Sequence, residues 1–250
     1  MSNIDALLIT PPSRLEVYQG LANDYAAIEP PVWSSLIANF LIKKGFQAEI
    51  LDAEAENLTH EKTAEKIAQK NPKLAIFMVY GQQPSASTQC MPGGKKTCLK
   101  LNEITSNEIK SIVIGTHASA LPKKTLEEEP YTYVCQGEGP LTVIELISFL
   151  KGKTKDLKKI PGLWYLDKDK KVCSNPSAKM FEDLDQSLPG QAWKLLDMKK
   201  YKAHNWHTFG KLDTIKSYAS LQTSLGCPFK CTFCCINAPC LLYTSPSPRA

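Results

Sequence analysis

Five short apolar runs alternate with helix-patterned segments across the first 150 residues, and that alternation leaves this chain few folds to adopt. The runs span 5–10, 47–52, 74–80, 111–115 and 133–136. Each is short and apolar, as expected of strands covered on both sides of a parallel sheet. Helical patterns fall between them at 32–44, 59–71, more weakly at 95–105, briefly after Pro122, and at 140–151. Gly45 stands where a helix C′ residue belongs, and Thr59 stands as an N-cap before His60-Glu61-Lys62. Successive βα units with right-handed crossovers imply an α/β fold, a flavodoxin-like or Rossmann-like doubly wound parallel sheet, over residues 1–152.

Ligands on such sheets sit beyond the carboxyl ends of the strands, near the switch in strand order. Those ends read T-P-P-S, L-D-A-E-A-E, V-Y-G-Q-Q-P-S-A, G-T-H-A-S-A and C-Q-G-E-G-P. The rim candidates for holding a cofactor are therefore Asp52, Tyr80, Gly81, Gly115, His117, Gly137 and Glu138. Gly81, Gly115, Gly137 and Gly139 let backbone amides approach a ligand closely, although glycines also end strands in α/β proteins generally. His117 is either a hydrogen-bond donor to a ligand or a turn histidine tied to its own backbone. Glu138 either meets ligand hydroxyls or favours the positive end of the last helix.

Beyond residue 152 the pattern changes. Segments 160–166 and 171–174 flank D-K-D-K and predict a β-hairpin with a polar turn. A stretch through D-Q-S-L-P-G then reads as a linker, and W-K-L-L-D-M-K-K-Y predicts a short helix at its end. His204 and His207 could ligate a metal by spacing, but packing or hydrogen bonding within the linker, assigned to residues 153–215, explains them as well. A further strand leads into a cysteine-rich loop, so residues 216–239 open a second domain.

The bulk composition narrows the partners. Hydrophobic residues make up 43% of the chain and charged ones 22%, which suits a soluble globular protein with a sizeable core. The net charge of +5 comes from scattered lysines without aromatic interleaving, so no nucleic-acid partner is expected. No apolar run reaches the ~20 residues needed to span a bilayer. The opening M-S-N-I-D-A-L-L-I-T reads as a first strand and not as a signal peptide, so a cytoplasmic, reducing setting is expected. There, metal ligation or catalysis explains clustered cysteines better than disulfides do.

Four of the nine cysteines gather in C-P-F-K-C-T-F-C-C. Cys227, Cys231 and Cys234 form a C-x3-C-x2-C array, whose three thiolates can converge on one [4Fe–4S] cluster and leave one iron open. A structural zinc site would want four Cys or His ligands, usually as two separated pairs, and no second C-x-x-C pair exists. Inert core thiols are the remaining alternative, and they do not explain the crowding beside Gly and Pro.

C-x3-C-x2-C directly after a strand, with Phe233 just before the third cysteine, resembles the signature of radical S-adenosylmethionine (SAM) enzymes. That resemblance implies SAM bound to the open iron and cleaved to methionine and a 5′-deoxyadenosyl radical. It also implies Phe233 beside the cofactor and a reductant such as flavodoxin or ferredoxin. The upstream segment P-P-V-W-S-S-L-I-A-N-F-L-I-K-K-G-F-Q-A-E-I-L-D-A-E-A, with G-T-H-A-S-A-L-P and G-E-G-P, resembles the cobalamin (B12)-dependent subclass of that family. The likeness runs over residues 1–238 and implies a cobalamin cofactor, with radical methylation or another radical rearrangement as the chemistry. One departure is plain. Many cobalamin domains carry D-x-H-x-x-G, whose histidine ligates cobalt; here the same stretch is Asp52-Ala53-Glu54-Ala55-Glu56-Asn57. Any cobalamin bound here should therefore lack that histidine ligand.

The C-terminal C-L-L-Y-T-S-P-S-P-R-A resembles the translation of a sequencing adapter. Residues 240–250 are accordingly expected to be an artefact, with a genuine polar tail as the alternative. On that expectation the chain is an N-terminal fragment holding only the first strand and cluster loop of a radical SAM barrel, inactive alone and without catalytic residues of its own. The substrate is unknown. The competing reading is a non-catalytic cobalamin sensor or scaffold with an incidental metal-binding loop.

Overall fold

Residues 4–22, 26–81, 86–179, 181, 183–203, 218–221 and 231–234 are described by the computed structural model. Its strands and helices follow in order as β1 (Ala6–Thr10), α1 (Arg14–Tyr18), α2 (Val32–Lys43), β2 (Ala48–Asp52), α3 (His60–Lys70), β3 (Leu74–Met78), α4 (Ser87–Thr105), β4 (Lys110–Ile114), α5 (Thr116–Ala120), α6 (Pro122–Glu128), β5 (Tyr133–Cys135), α7 (Pro140–Leu150), β6 (Leu163–Leu166), β7 (Val172–Ser174) and α8 (Leu184–Ser187). The sheet has seven strands in the order β2-β1-β3-β4-β5-β6-β7. Strands β1 to β5 are parallel, and β6 and β7 are antiparallel. The order reverses between β1 and β3, which puts the ligand crevice beyond their carboxyl ends. Among the described residues no helix is long and apolar enough to cross a membrane.

The strands lack polar alternation because each face meets its own core. Ala6, Leu8, Leu74, Ile76, Ile112 and Ile114 point to one face, where Ile37 and Leu41 of α2 and Val143 and Ile147 of α7 cover them. Leu7, Ile9, Ala75, Phe77 and Val113 point to the other, against Ile67 of α3, Leu101 of α4 and Leu126 of α6. All of these but Leu126, at 3%, are fully buried.

Helix ends follow the local chemistry expected of them. Gly45 N donates to Ile42 O and Phe46 N to Leu41 O, a Schellman closure of α2 that drops Phe46 beside Leu41 in the same core cluster. Thr59 Oγ1 accepts from Lys62 N at 3.3 Å, capping α3. Thr59→Ala should cost about 1 kcal/mol, read as a lowered urea midpoint with an unchanged slope.

Helix α4 departs from the sequence expectation. It starts at Ser87, well before residue 95, and carries Pro92 in its interior. Pro92, Gly93 and Gly94 are poor helix formers, and tertiary packing overrides that propensity. A Cβ at Gly93 would overlap the Pro12 carbonyl oxygen, and one at Gly94 would lie 2.5 Å from the Tyr131 hydroxyl. The glycines let α4 lie directly on the loop after β1, and this contact offsets their low helix propensity.

The predicted hairpin forms, and it extends the sheet instead of standing apart from it. Leu163, Trp164 and Tyr165 pair with Cys135, Val134 and Tyr133. Trp164 Nε1 also donates to Gln136 Oε1 at 3.0 Å. The D-K-D-K turn is closed by Asp167 Oδ1, which accepts from Asp169 N and Lys171 N at 2.9 and 2.8 Å. The helix expected in W-K-L-L-D-M-K-K-Y is replaced by two 3-10 turns, Trp193–Leu195 and Met198–Lys200. Asp197 accepts from Lys199 N at 3.3 Å and restarts the turn, while Leu196 stays extended and buried. The strand expected to lead into the cysteine loop falls mostly outside the described residues.

Candidate functional site

Four strand ends bring the sequence-derived rim residues together. Tyr80 and Gly81 follow β3, Gly115 and His117 follow β4, Gly137 and Glu138 follow β5, and Asp52 ends β2. Each carries a local explanation. Tyr80 stacks on Trp33, from the first turn of α2, with ring centroids 5.2 Å apart and planes at 14°. Trp33 carried no sequence signal beyond its place in an apolar helix start.

Gly115 sits where β4 meets β3. A Cβ there would overlap the Val79 carbonyl oxygen and lie 2.9 Å from Ser87 Oγ, so internal packing already requires glycine. His117 donates its backbone N–H to Ser87 Oγ at 3.1 Å, and its Nδ1 lies 2.9 Å from Thr88 Oγ1. Burial holds its imidazole below the ordinary range, with Glu129 opposing and Lys124 adding to that shift. Gly137 N donates to Ser119 Oγ at 3.0 Å, which ties the β5 turn to α5. Glu138 is buried at the start of the turn into α7.

At the end of β2 the carboxylates turn inward. Glu54, in the place of the cobalt-ligating histidine, accepts from the Ser13 amide, from Arg14 N at 2.6 Å and from Ser13 Oγ at 3.2 Å. It also pairs with Arg14 Nε at 3.5 Å. It thus pins the loop after β1 and the start of α1. Asp52 accepts from the Ala55 amide at 3.2 Å and from the Tyr201 hydroxyl at 3.2 Å. Burial pushes its carboxyl up to about 7, against hydrogen bonds from Ala55, Tyr201 and Glu54 N and with the Glu54 charge adding to the rise. Tyr201 was invisible in the sequence because 149 residues separate the pair.

The rim carries unpartnered polar atoms. The hydroxyls of Thr10, Ser34 and Thr116 are buried without a hydrogen-bond partner among the described residues, and all three lie at carboxyl strand ends or the adjoining helix start. Such atoms favour an incoming donor or acceptor. His60 is committed elsewhere, to Glu16 and Thr97 at 3.0 Å each. The residues present thus fit a corrin held at its periphery without an axial histidine from the β2 turn.

The thiols divide by environment. Cys98 and Cys135 are fully buried, and burial pushes each up to about 12, so neither supplies a thiolate. Cys231 is exposed, Cys234 is half-buried, and Cys234 N donates to Cys231 O at 3.1 Å in a tight turn. Phe233, between them, is 91% exposed. Cys227 and Cys235 lie outside the described residues, as do His204, His207 and 240–250. Two accessible sulfurs on one turn are a donor set suited to soft metals.

The B12 binding domain family matches residues 18–147, just over half of the chain. The chain belongs to the B12-binding family. Curated relatives of this B12-binding chain include an uncharacterized methyltransferase of Pyrococcus horikoshii, 28% identical over 235 residues, covering 94% of this chain and 46% of the relative. An anaerobic magnesium-protoporphyrin IX monomethyl ester cyclase of Synechocystis sp. is 30% identical over 206 residues, covering 82% of this chain and 38% of the relative. The chain thus spans less than half the length of these relatives. Among solved structures, the cobalamin-dependent SAM radical enzyme OxsB with aqua-cobalamin and SAM bound aligns with a TM-score of 0.61 at 17% identity. That alignment covers 92% of this chain and 28% of OxsB. The radical SAM methyltransferase TsrM from Kitasatospora setae, with cobalamin and a [4Fe–4S] cluster, aligns at 0.57 and 16%, covering 95% and 42%. These likenesses show the shared fold.

Proposed function

We propose that this chain is the cofactor-holding portion of a cobalamin-dependent radical SAM enzyme acting in methyl transfer or another radical rearrangement. The observation that carries the reading is the presence, in one chain, of a B12-binding domain over 18–147 and a C-x3-C-x2-C array at 227–234. The relatives support it, since methyltransferase and cyclase names recur among them. Bound together, the three groups would supply a methyl carrier, an open iron and a SAM-derived radical.

The protein's own residues do the positioning. Thr10, Ser34 and Thr116 offer hydroxyls to the corrin periphery, and Tyr80, Gly81, Gly115, His117, Gly137 and Glu138 shape the edge that receives it. Arg14 and Glu54 fix the loop after β1, and the stacked Trp33 and Tyr80 would flank a corrin bound at this edge. Cys227, Cys231 and Cys234 would hold the cluster, and Phe233 would cover SAM. On this reading residues 1–152, 153–215 and 216–239 serve as cobalamin domain, connector and cluster segment. A flavodoxin- or ferredoxin-type reductant would deliver the electron, in a reducing cytoplasm that keeps the thiols available.

Gel filtration of the full chain with hydroxocobalamin tests the first half of the reading. Co-elution of the corrin absorption with the protein is expected, and the cobalt spectrum should lack the signature of histidine ligation. Clean separation of corrin from folded protein would reduce the domain to a scaffold.

A further inference from the structure

Residues 188–203 form a strap pinned to the α/β layer by contacts that run along α2 toward its N-terminus. Asn39 Nδ2 donates to the carbonyls of Pro189 and Gly190 at 3.2 and 2.8 Å. One turn earlier on α2, Ser35 Oγ accepts from Ala192 N at 2.7 Å. Ile28 and Lys202 then exchange backbone hydrogen bonds of 3.0 and 2.9 Å. The strap thereby delivers Tyr201 to the carboxyl end of β2, where its hydroxyl donates to Asp52. Tyr201 is 3% and Asp52 6% exposed, so the contact is closed to water. Beyond Ala203 the chain runs on toward the cysteine loop.

Of these contacts only the last involves a group that changes charge near neutrality. We propose that Asp52 and Tyr201 form a latch that fastens the strap across the rim while Asp52 is protonated and releases it when Asp52 ionises. Asp52 is then a positioning residue, acting through the strap on the segment that leads to the cysteines. The groups facing the pair are acidic. Glu54 bears on Asp52, and Asp197 and Glu56 bear on Tyr201. The nearby lysines are engaged, Lys66 with Glu56 and Lys200 with Asp197 at 3.9 Å. Arg14 is likewise engaged with Glu54, so an ionised Asp52 would sit dry with no cation of its own, and that desolvation outweighs its hydrogen bonds from Ala55, Glu54 N and Tyr201.

The sign follows from linkage. In the fastened state the carboxyl is raised to about 7 from its ordinary 3.8, so that state binds the proton more tightly than a released, hydrated one. Fastening is strongest below the ordinary carboxylate range, weakens as pH rises toward about 7, and changes little above it. This inference concerns the chain without cofactor and stands apart from the proposed chemistry.

Limited trypsinolysis of the full chain tests it, because Lys199, Lys200 and Lys202 flank Tyr201. Cleavage there is scored against Lys168 in the exposed hairpin turn of the same molecules, which cancels the protease's own pH dependence. Between pH 6 and 8.5 the ratio should rise about tenfold in the wild type, the size that linkage permits over the one unit between pH 6 and about 7. Asp52→Asn, neutral throughout, should hold the ratio flat at its low-pH value. Tyr201→Phe, which keeps the ring and loses the bond, should raise it at pH 6. A flat wild-type ratio, or a rise that persists in Asp52→Asn, overturns the latch. Should either variant fail to fold, hydrogen exchange at the wild-type Lys202 amide decides: protection corrected for intrinsic rate must fall over the same window, and constant protection refutes the proposal.

Discussion

Cys231→Ala should abolish the charge-transfer absorption and the reduced-cluster EPR signal that the full chain is expected to acquire on anaerobic reconstitution with iron and sulfide, whereas Cys235→Ala should largely preserve both. Three thiolates are the least that holds a cubane with one open iron, so losing one leaves two and the cluster dissociates. Cys235 adjoins Cys234 in sequence and stands outside the C-x3-C-x2-C array. Cys98→Ala and Cys135→Ala serve as controls, since those thiols are sealed in the core and kept protonated. The assignment is overturned if the reconstituted wild type binds zinc alone and stays spectroscopically silent, or if Cys235→Ala proves as damaging as Cys231→Ala.

Gly115→Ala should lower the melting temperature of the cofactor-free chain by about 5–10 °C, a loss of roughly 2–3 kcal/mol from overpacking. The added methyl meets the Val79 carbonyl oxygen and Ser87 Oγ, and the first of these belongs to backbone that cannot swing aside. Ser87 also donates to the Val79 carbonyl and accepts from His117 N, so the displacement spreads through the β3, β4 and α4 junction. Differential scanning calorimetry without corrin separates two explanations of this glycine. If it served only to admit a ligand, the apo melting temperature would not move and corrin retention alone would fall.

The βα alternation, the rim and the cysteine array were legible in the sequence because each depends on neighbours along the chain. Periodicity reports whether one face or two are buried, and Leu7, Leu8 and Ile9 declare a doubly covered strand whatever packs on them. Thr59 and Gly45 act within a few residues of themselves, so their roles as caps are local. The start of α4 was not legible for the opposite reason: Gly93 and Gly94 answer to Pro12 and Tyr131, which local reasoning places nowhere near them.

The sequence by itself determined the class of fold, and it supplied the spacing of Cys227, Cys231 and Cys234 on which the proposed cluster rests. Tertiary structure alone decided what the rim residues do before any ligand arrives. It placed Glu54 on Ser13 and Arg14, set Tyr80 against Trp33, joined the hairpin to β5, and buried Asp52 under Tyr201. The reason is physical. A side chain's partner and its dielectric surroundings are set by segments far away in sequence, and at Asp52 those surroundings bring an ordinary carboxyl close to neutrality.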